Sequence, residues 1–217
     1  MTRRIIAAII VIQLLQLFLT LTPWDQAFLN FWGLSEDGVK RGWIWQLFTY
    51  AFLHADTFPL FPLHILMNVM VLSYLGRAIE AKSTPRHLWR LFIYGSLGAA
   101  VLWLLSDESN HATYVIGASG AGFAFLTAYA VCFPDQRLRV WLMFFPVVCK
   151  ARTLALGLSA FEFGCVILGW FPFVAHTAHL GGAMVGWWYG RKIRAYILRR
   201  ELEGLLPGWE FWDSPMK

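Results

Sequence analysis

Charged side chains are scarce in this chain of 217 residues. Only 14% of the residues are Asp, Glu, Lys or Arg, whereas 58% are hydrophobic, and the mean hydropathy is +0.54. An ordinary soluble domain carries about 25% charged residues. The composition therefore excludes an ordinary soluble domain and predicts an integral membrane protein.

Cysteine is also scarce, and so are the patterns that bind metal ions or nucleic acids. The three cysteines, Cys132, Cys149 and Cys165, have spacings that fit neither a zinc knuckle nor a disulfide framework. No His-Glu-x-x-His pattern is present. The formal net charge is +5, but the basic residues form short clusters between apolar runs and not a continuous stripe. We therefore expect no metal ion, no cofactor and no nucleic acid partner.

Long uncharged runs indicate how the chain crosses the membrane. About 20 apolar residues in an α-helix span the hydrocarbon core of a bilayer. Candidate spans lie at 5–24, 58–76, 91–106, 110–134, 153–172 and 173–190, and Glu162 interrupts the fifth of them once. The first is longer than the apolar core of a signal peptide, which has about 7 to 15 residues, and we expect it to be retained. The predicted fold class is an all-α membrane protein with six transmembrane helices.

Basic residues set the expected orientation of these spans. Lys and Arg in short loops stay on the cytoplasmic side, and sixteen of the 18 basic residues fall in the N-terminal segment, the second and fourth loops and the C-terminal tail. Both termini are therefore expected to be cytoplasmic. The tryptophan-dense connector 25–57 is expected to lie on the membrane surface, and the apolar segment 141–148 is too short to cross and is expected at the interface.

A few polar residues interrupt the apolar runs at one predicted depth. Ser119 lies about two turns below the outer surface in the fourth span, His176 and His179 lie at a similar level in the sixth, and His64 and Asn68 share one face of the second. Taken singly, such residues are typical of helix packing, because small residues let backbones approach and a lone histidine or asparagine ties two helices. Their shared depth favours a catalytic site instead.

The chemistry of this layer is that of acyl transfer. Serine and histidine can act as nucleophile and general base, while an amide, an imidazole and a backbone N–H can hold a negative oxygen. Glu162 is predicted to lie deeper, near mid-membrane, so the site is expected to be a Ser-His dyad without a carboxylate. Either His176 or His179 would satisfy the chemistry. His179 is favoured, because His176 is expected near the outer end, solvated and without a partner.

Small residues predict which two helices pack most closely. They recur every four residues in the sixth span at Ala178, Gly182, Gly186 and Gly190, and in the fourth at Ala118 and Gly122. Such faces let backbones approach each other. We therefore expect these faces to meet and to bring Ser119 to His179.

The motifs around these residues resemble those of the rhomboid intramembrane serine proteases. They are Gly117-Ala118-Ser119-Gly120 in the fourth span, Ala178-His179-Leu180-Gly181-Gly182 in the sixth and His64-Ile65-Leu66-Met67-Asn68 in the second. The resemblance covers nearly the whole chain from Trp24 to Gly190. It implies a six-span rhomboid-like domain over residues 1–195, followed by a short basic, amphipathic cytoplasmic tail over 196–217.

The resemblance also implies a role for each residue. Ser119 is the expected nucleophile and His179 the expected base, while His64, Asn68 and the Ser119 backbone N–H form the oxyanion hole. Phe123 occupies the place of an aromatic residue that packs against the catalytic histidine. The expected supporting glycines are Gly117, Gly120 and Gly182.

One position departs from the family pattern. The family often has Trp-Arg in its first outer loop, and here the sequence reads Trp45-Gln46. This departure calls the usual anchoring of that loop into question and leaves the chemistry intact.

The expected function is that of an intramembrane endopeptidase. By resemblance, its partners are the lipid bilayer and single-span membrane proteins that carry small residues at the cut in a helix that unwinds easily. A bacterial plasma membrane is the expected location. One alternative is a rhomboid-like protein that binds membrane clients without cutting them. The other is a metal or haem site at His176, His179, His64 and Glu162, which the expected depth of Glu162 disfavours.

Overall fold

The computed structural model describes residues 1–55, 61–106, 114–142 and 145–204, and this part of the chain is mostly α-helical. In chain order its α-helices are α1 Thr2–Leu19, α2 Asp25–Trp32, α3 Glu36–Lys40, α4 Gln46–Thr49, α5 Leu63–Lys82, α6 Pro85–Leu104, α7 Ser119–Cys132, α8 Ala151–Leu168 and α9 His176–Leu202. A 3₁₀ turn, Tyr50–Phe52, follows α4. The strands β1 Arg137–Leu142 and β2 Phe145–Lys150 lie between α7 and α8.

Three helices, α1, α6 and α8, are long and apolar enough to cross a membrane by length and composition. The apolar helix α7 is shorter, with 14 residues. These helices support an integral membrane protein. The count of six spans and the cytoplasmic location of both termini stay predictions. The domain boundary at residue 195 also stays a prediction, and α9 runs past it to Leu202.

The helix boundaries differ from the predicted spans, because an uncharged run marks only the apolar part of a helix. α6 begins six residues before its run, where the Thr84 side chain accepts a hydrogen bond from the His87 N–H and Pro85 occupies the first turn. α7 begins at Ser119 and not near residue 110. Ser119 is therefore the first residue of its helix and not a residue two turns inside it. The beginnings of the second and fourth predicted spans, 58–60 and 110–113, lie outside the described residues.

The two strands that overlap the predicted segment 141–148 pair antiparallel, and residues 143–144 of that segment lie outside the described residues. β1 pairs with β2 in a register that runs from Arg137 opposite Lys150 to Leu142 opposite Phe145. Its expected place at the membrane interface stays a prediction.

Glycines bring the backbone of α9 against that of α7. A Cβ atom added at Gly182 would lie 1.9 Å from the carbonyl oxygen of Gly120, and one at Gly186 would lie 2.1 Å from that of Ala124. The predicted glycine face of α9 is therefore the packing face. The predicted face of α7 was wrong at Gly122, which faces Val71 of α5 at 3.6 Å from its added Cβ.

Gln46 anchors the connector between α1 and α5. Its side chain is fully buried, and its Oε1 accepts hydrogen bonds from the Ser35 N–H and hydroxyl, both at 3.1 Å. Its Nε2 donates to the carbonyl oxygens of Asn30 at 2.8 Å and Phe31 at 3.3 Å. The loop is therefore anchored without the family's arginine, because the uncharged amide of Gln46 is hydrogen-bonded to the segment around α2 and α3.

Candidate active site

Ser119 and His179 meet where two helices begin. Ser119 is the first residue of α7, and His179 lies in the first turn of α9. The Nε2 atom of His179 is 2.8 Å from Oγ of Ser119. The first N–H groups of an α-helix have no partner within the helix and carry its positive dipole end. The start of α7 therefore supplies donors beside the hydroxyl.

The aromatic ring of Phe123 holds the imidazole from one side. It lies one turn after Ser119, and its ring stacks on His179 with the centroids 4.6 Å apart and the planes at 12°. The structure therefore places Phe123 in the contact that the resemblance implied. Stacking limits rotation of the imidazole and keeps Nε2 directed at the serine.

His64 presents a hydrogen-bond donor to the same place. Its Nδ1 accepts a hydrogen bond of 3.1 Å from the Ala55 N–H, so a neutral ring carries its proton on Nε2. A Cβ atom added at Gly117 would lie 2.7 Å from this Nε2 and 3.8 Å from Oγ of Ser119. Gly117 also has a φ of 127°, which L side chains rarely adopt. The glycine thus lets the imidazole N–H approach Ser119.

Asn68 lies one turn after His64 on α5 and is buried. Its Nδ2 donates a hydrogen bond of 2.8 Å to the backbone carbonyl of His64. This bond fixes the amide beside the residue that carries the donor imidazole. The predicted role of Asn68 as a second donor stays a prediction.

The other two supporting glycines make room for this arrangement. A Cβ atom added at Gly120 would lie 2.4 Å from Cβ of Ala99 on α6. Gly182 faces the backbone of Gly120 itself. Larger residues at either position would push α7 away from α6 or α9.

A carboxylate reaches the candidate base, contrary to the expected dyad. Oε2 of Glu162 lies 3.1 Å from Nδ1 of His179, on the side of the ring opposite Ser119, although the two atoms are not aligned as a hydrogen bond. The expectation that Glu162 lies deeper than the histidines was wrong. The three side chains Ser119, His179 and Glu162 form a connected row.

His176 is also a partner of Glu162. It is 4% exposed, its Nδ1 lies 2.5 Å from Glu162 Oε2, and its Nε2 lies 2.9 Å from the carbonyl oxygen of Trp170. The prediction of a solvated His176 without a partner was wrong. The turn before α9 covers the imidazole, so it lies inside the bundle. Glu162, His176 and His179 are a set of side chains that could hold a metal ion.

The sequence analysis did not identify His54, which contacts both the residue before Ser119 and the ring of His64. It is fully buried, its Nε2 lies 3.5 Å from the Ala118 N–H, and its ring centroid is 5.1 Å from that of His64. Gln16 of α1 holds its backbone through bonds of 2.6 Å to the carbonyl and 3.3 Å from the N–H. A glutamine inside an apolar first span was the signal that could have pointed to such a partner.

Comparison with known proteins finds a matching protein family. Residues 41–196 match the family model of the rhomboid domain. The chain is 29% identical to RHOMBOID-like protein 1 of Arabidopsis thaliana over 152 residues. The aligned residues make up 70% of this chain and 35% of that protein. It is 28% identical to Presenilin-associated rhomboid-like protein A, mitochondrial, of Danio rerio over 149 residues. That alignment covers 68% of this chain and 38% of the relative.

A third relative is RHOMBOID-like protein 12, mitochondrial, of Arabidopsis thaliana, 29% identical over 176 residues that cover 74% of this chain and 50% of that protein. The chain thus spans between about a third and half of the length of these three relatives. Two of the three are named as mitochondrial proteins. The expected bacterial plasma membrane therefore has no support from them.

Proposed function

Because the chain belongs to the rhomboid family, we propose that it is an intramembrane serine endopeptidase that cleaves single-span membrane proteins within the bilayer. The observation that carries the proposal is the 2.8 Å contact between Oγ of Ser119 and Nε2 of His179. Nucleophile and general base must lie within hydrogen-bond distance, about 2.6 to 3.2 Å, and this pair does.

Acylation begins at Ser119. Its Oγ attacks the carbonyl carbon of the scissile bond, its proton passes to Nε2 of His179, and the carbonyl oxygen becomes negatively charged. The Nε2–H of His64, the backbone N–H of Ser119 and the amide of Asn68 donate to that oxygen in this mechanism. His179 then gives its proton to the leaving amine as the C–N bond breaks.

Deacylation uses the same groups in reverse. A water molecule attacks the ester carbonyl, His179 takes a proton from the water, and the new carboxyl group leaves as the proton returns to Ser119. Both steps need Nε2 free of a proton at the start, so Nδ1 must carry the ring proton. The carboxylate of Glu162, 3.1 Å from Nδ1, favours this tautomer electrostatically.

Substrate preference is part of the proposal. The resemblance implies clients with one span, small residues at the cut and a helix that unwinds easily. An extended segment gives the serine access to a carbonyl group that a helix keeps hydrogen-bonded.

Ser119→Ala tests the proposed function. It removes one oxygen from a helix terminus and should leave an inserted, folded protein, while cleavage of a model single-span substrate and labelling by a fluorophosphonate both disappear. Cleavage that persists in this variant would remove Ser119 as the nucleophile. A wild-type protein that binds clients and neither cleaves them nor reacts with the fluorophosphonate would instead favour the non-proteolytic alternative.

A further inference from the structure

Two imidazoles and a carboxylate converge beside the Ser119–His179 pair. Nδ1 of His176 and Nδ1 of His179 lie 2.5 Å and 3.1 Å from Oε2 of Glu162. The three donor atoms lie within 4.8 Å of one another. Within the part of the chain that the structure describes, no second group of three such residues comes together.

A metal ion would take the place of protons in this cluster. Nε2 of His176 faces the carbonyl oxygen of Trp170, which can only accept, so this nitrogen carries a proton. Its Nδ1 therefore shares a single proton with Glu162 across 2.5 Å. Nδ1 of His179 is buried without an aligned hydrogen-bond partner. A cation could replace the proton shared with His176, and it could bind Nδ1 of His179 once the ring proton has moved to Nε2.

We propose that Glu162 Oε2, His176 Nδ1 and His179 Nδ1 bind one zinc ion, and that the bound ion inhibits the active site. Two imidazoles and one carboxylate are a ligand set that Zn²⁺ takes in proteins, with a fourth position left open. The inhibitory role rests on the proposed protease function, whereas the binding site does not.

A shared zinc ion requires the three donor atoms, which now lie within 4.8 Å of one another, to reach similar separations. A tetrahedral zinc ion with bonds of about 2.0 to 2.2 Å holds its ligands about 3.3 Å apart. The distance from Glu162 to His179, 3.1 Å, is already close to this value. The 2.5 Å contact between Glu162 and His176 must open by about 0.8 Å, which the loss of the shared proton allows.

Inhibition follows from the structure of the imidazole ring. A neutral imidazole has one nitrogen that accepts and one that carries a proton. When Nδ1 of His179 binds zinc, the ring proton has to move from Nδ1 to Nε2, and Nε2 then donates a hydrogen bond towards Ser119. The base can then no longer take the serine proton, even though the two atoms stay at hydrogen-bond distance. The ion thus holds His179 in the wrong tautomer for catalysis.

Binding is tested on the Ser119→Ala protein, which has the full cluster and no nucleophile. We expect calorimetry with ZnCl₂ to show one ion per chain, CoCl₂ to give the visible absorption of four-coordinate cobalt, and zinc to raise the melting temperature. Glu162→Gln and His176→Gln should each weaken binding by more than about tenfold, because changes to outer-shell partners alone cost that much. His87→Gln is the matched control, since that ring packs on Tyr189 and Tyr196, several turns along α9 from the cluster.

Two results would overturn the site: binding weaker than about 1 mM without the cobalt spectrum, or an affinity that neither cluster variant changes. Because the cobalt spectrum is measured with an unaltered cluster, it decides even where a cluster variant fails to fold.

Inhibition is tested on the wild type with buffered zinc. Cleavage and fluorophosphonate labelling should fall at the zinc concentration that half-saturates binding and should return with EDTA. Zinc that binds without slowing either reaction would overturn the inhibitory role and leave the site. A wild type that neither cleaves nor labels would end the protease proposal and the inhibitory role together, while calorimetry still decides the site.

Discussion

His176 and His179 contact the same carboxylate oxygen but differ in what the far nitrogen of each ring contacts. Nε2 of His179 faces Ser119, whereas Nε2 of His176 faces the carbonyl of Trp170. We expect His179→Ala to abolish cleavage and fluorophosphonate labelling, because His179 is the base that lies at hydrogen-bond distance from the serine hydroxyl. His176→Ala should keep a measurable part of both. It should also lower the melting temperature, because an unpaired buried polar group costs about 1 to 3 kcal/mol.

Cleavage that is lost in His176→Ala and kept in His179→Ala, measured in one assay, would contradict the pairing of Ser119 with His179.

At this scale the sequence predicted the identity of the residues better than their depth. Ser119, His64 and His179 could be identified because each lies in a short motif on a separate apolar run. The depth of Glu162 could not be predicted, because the apolar run 153–172, which Glu162 interrupts, predicts a helix up to Pro172. α8 ends at Leu168, so Glu162 lies only about 9 Å from the end of its helix and within reach of the first turn of α9.

At the scale of helices, the close approach of α9 to α7 should determine whether the site assembles. An alanine at Gly182 would place a methyl group 1.9 Å from the carbonyl oxygen of Gly120. We expect Gly182→Ala to cost about 1 to 3 kcal/mol through overpacking and to reduce fluorophosphonate labelling of Ser119. Thermal melts and labelling rates measure the two effects.

Gly164→Ala on α8 is the matched control, because nothing lies within 4 Å of its added Cβ. It should leave labelling unchanged and stabilise the helix by up to about 1 kcal/mol. Equal effects of the two substitutions would show that the glycine contact is unimportant.

The glycine pattern shows why one helix face was predictable and the other was not. In α9 the three glycines at a spacing of four can mark only one face. In α7 the first four residues are all small. Periodicity alone therefore cannot choose between the face of Gly122, which meets α5, and the face of Gly120, which meets α9. The choice depends on tertiary packing.

The connector from α2 to the 3₁₀ turn depends on one side chain. We expect Gln46→Ala to destabilise the protein by about 1 to 3 kcal/mol, because it leaves buried partners of the Gln46 amide without hydrogen bonds. Gln26→Ala on the exposed face of α2 is the matched control and should change the melting temperature little. A melting temperature equal to that of the wild type for Gln46→Ala would show that these hydrogen bonds do not hold the loop.

At the scale of the whole molecule, the candidate site and the N-terminus lie at opposite ends of α5. His64 is in the first turn of α5, next to Ser119, whereas Glu80 near its other end accepts hydrogen bonds from the N–H and hydroxyl of Thr2 at 3.1 Å and 2.8 Å. The basic residues Arg3 and Arg4 follow directly. If basic residues remain cytoplasmic, the site lies towards the opposite surface.

This arrangement predicts which residues a membrane-impermeant maleimide reaches in intact cells. Single cysteines would be introduced in a background that lacks the three native cysteines. One replaces Lys40, in the connector that is expected on the same side of the membrane as the site. The other two replace Arg3 and Arg199. All three positions are exposed, so accessibility to the reagent depends on the side of the membrane. We expect Lys40→Cys to react in intact cells and Arg3→Cys and Arg199→Cys to react only after lysis, because charged termini resist translocation. Reaction of Arg3→Cys without lysis would reverse the orientation. Reaction of Arg199→Cys alone would contradict an even number of spans, since the two ends of the chain would then lie on opposite sides.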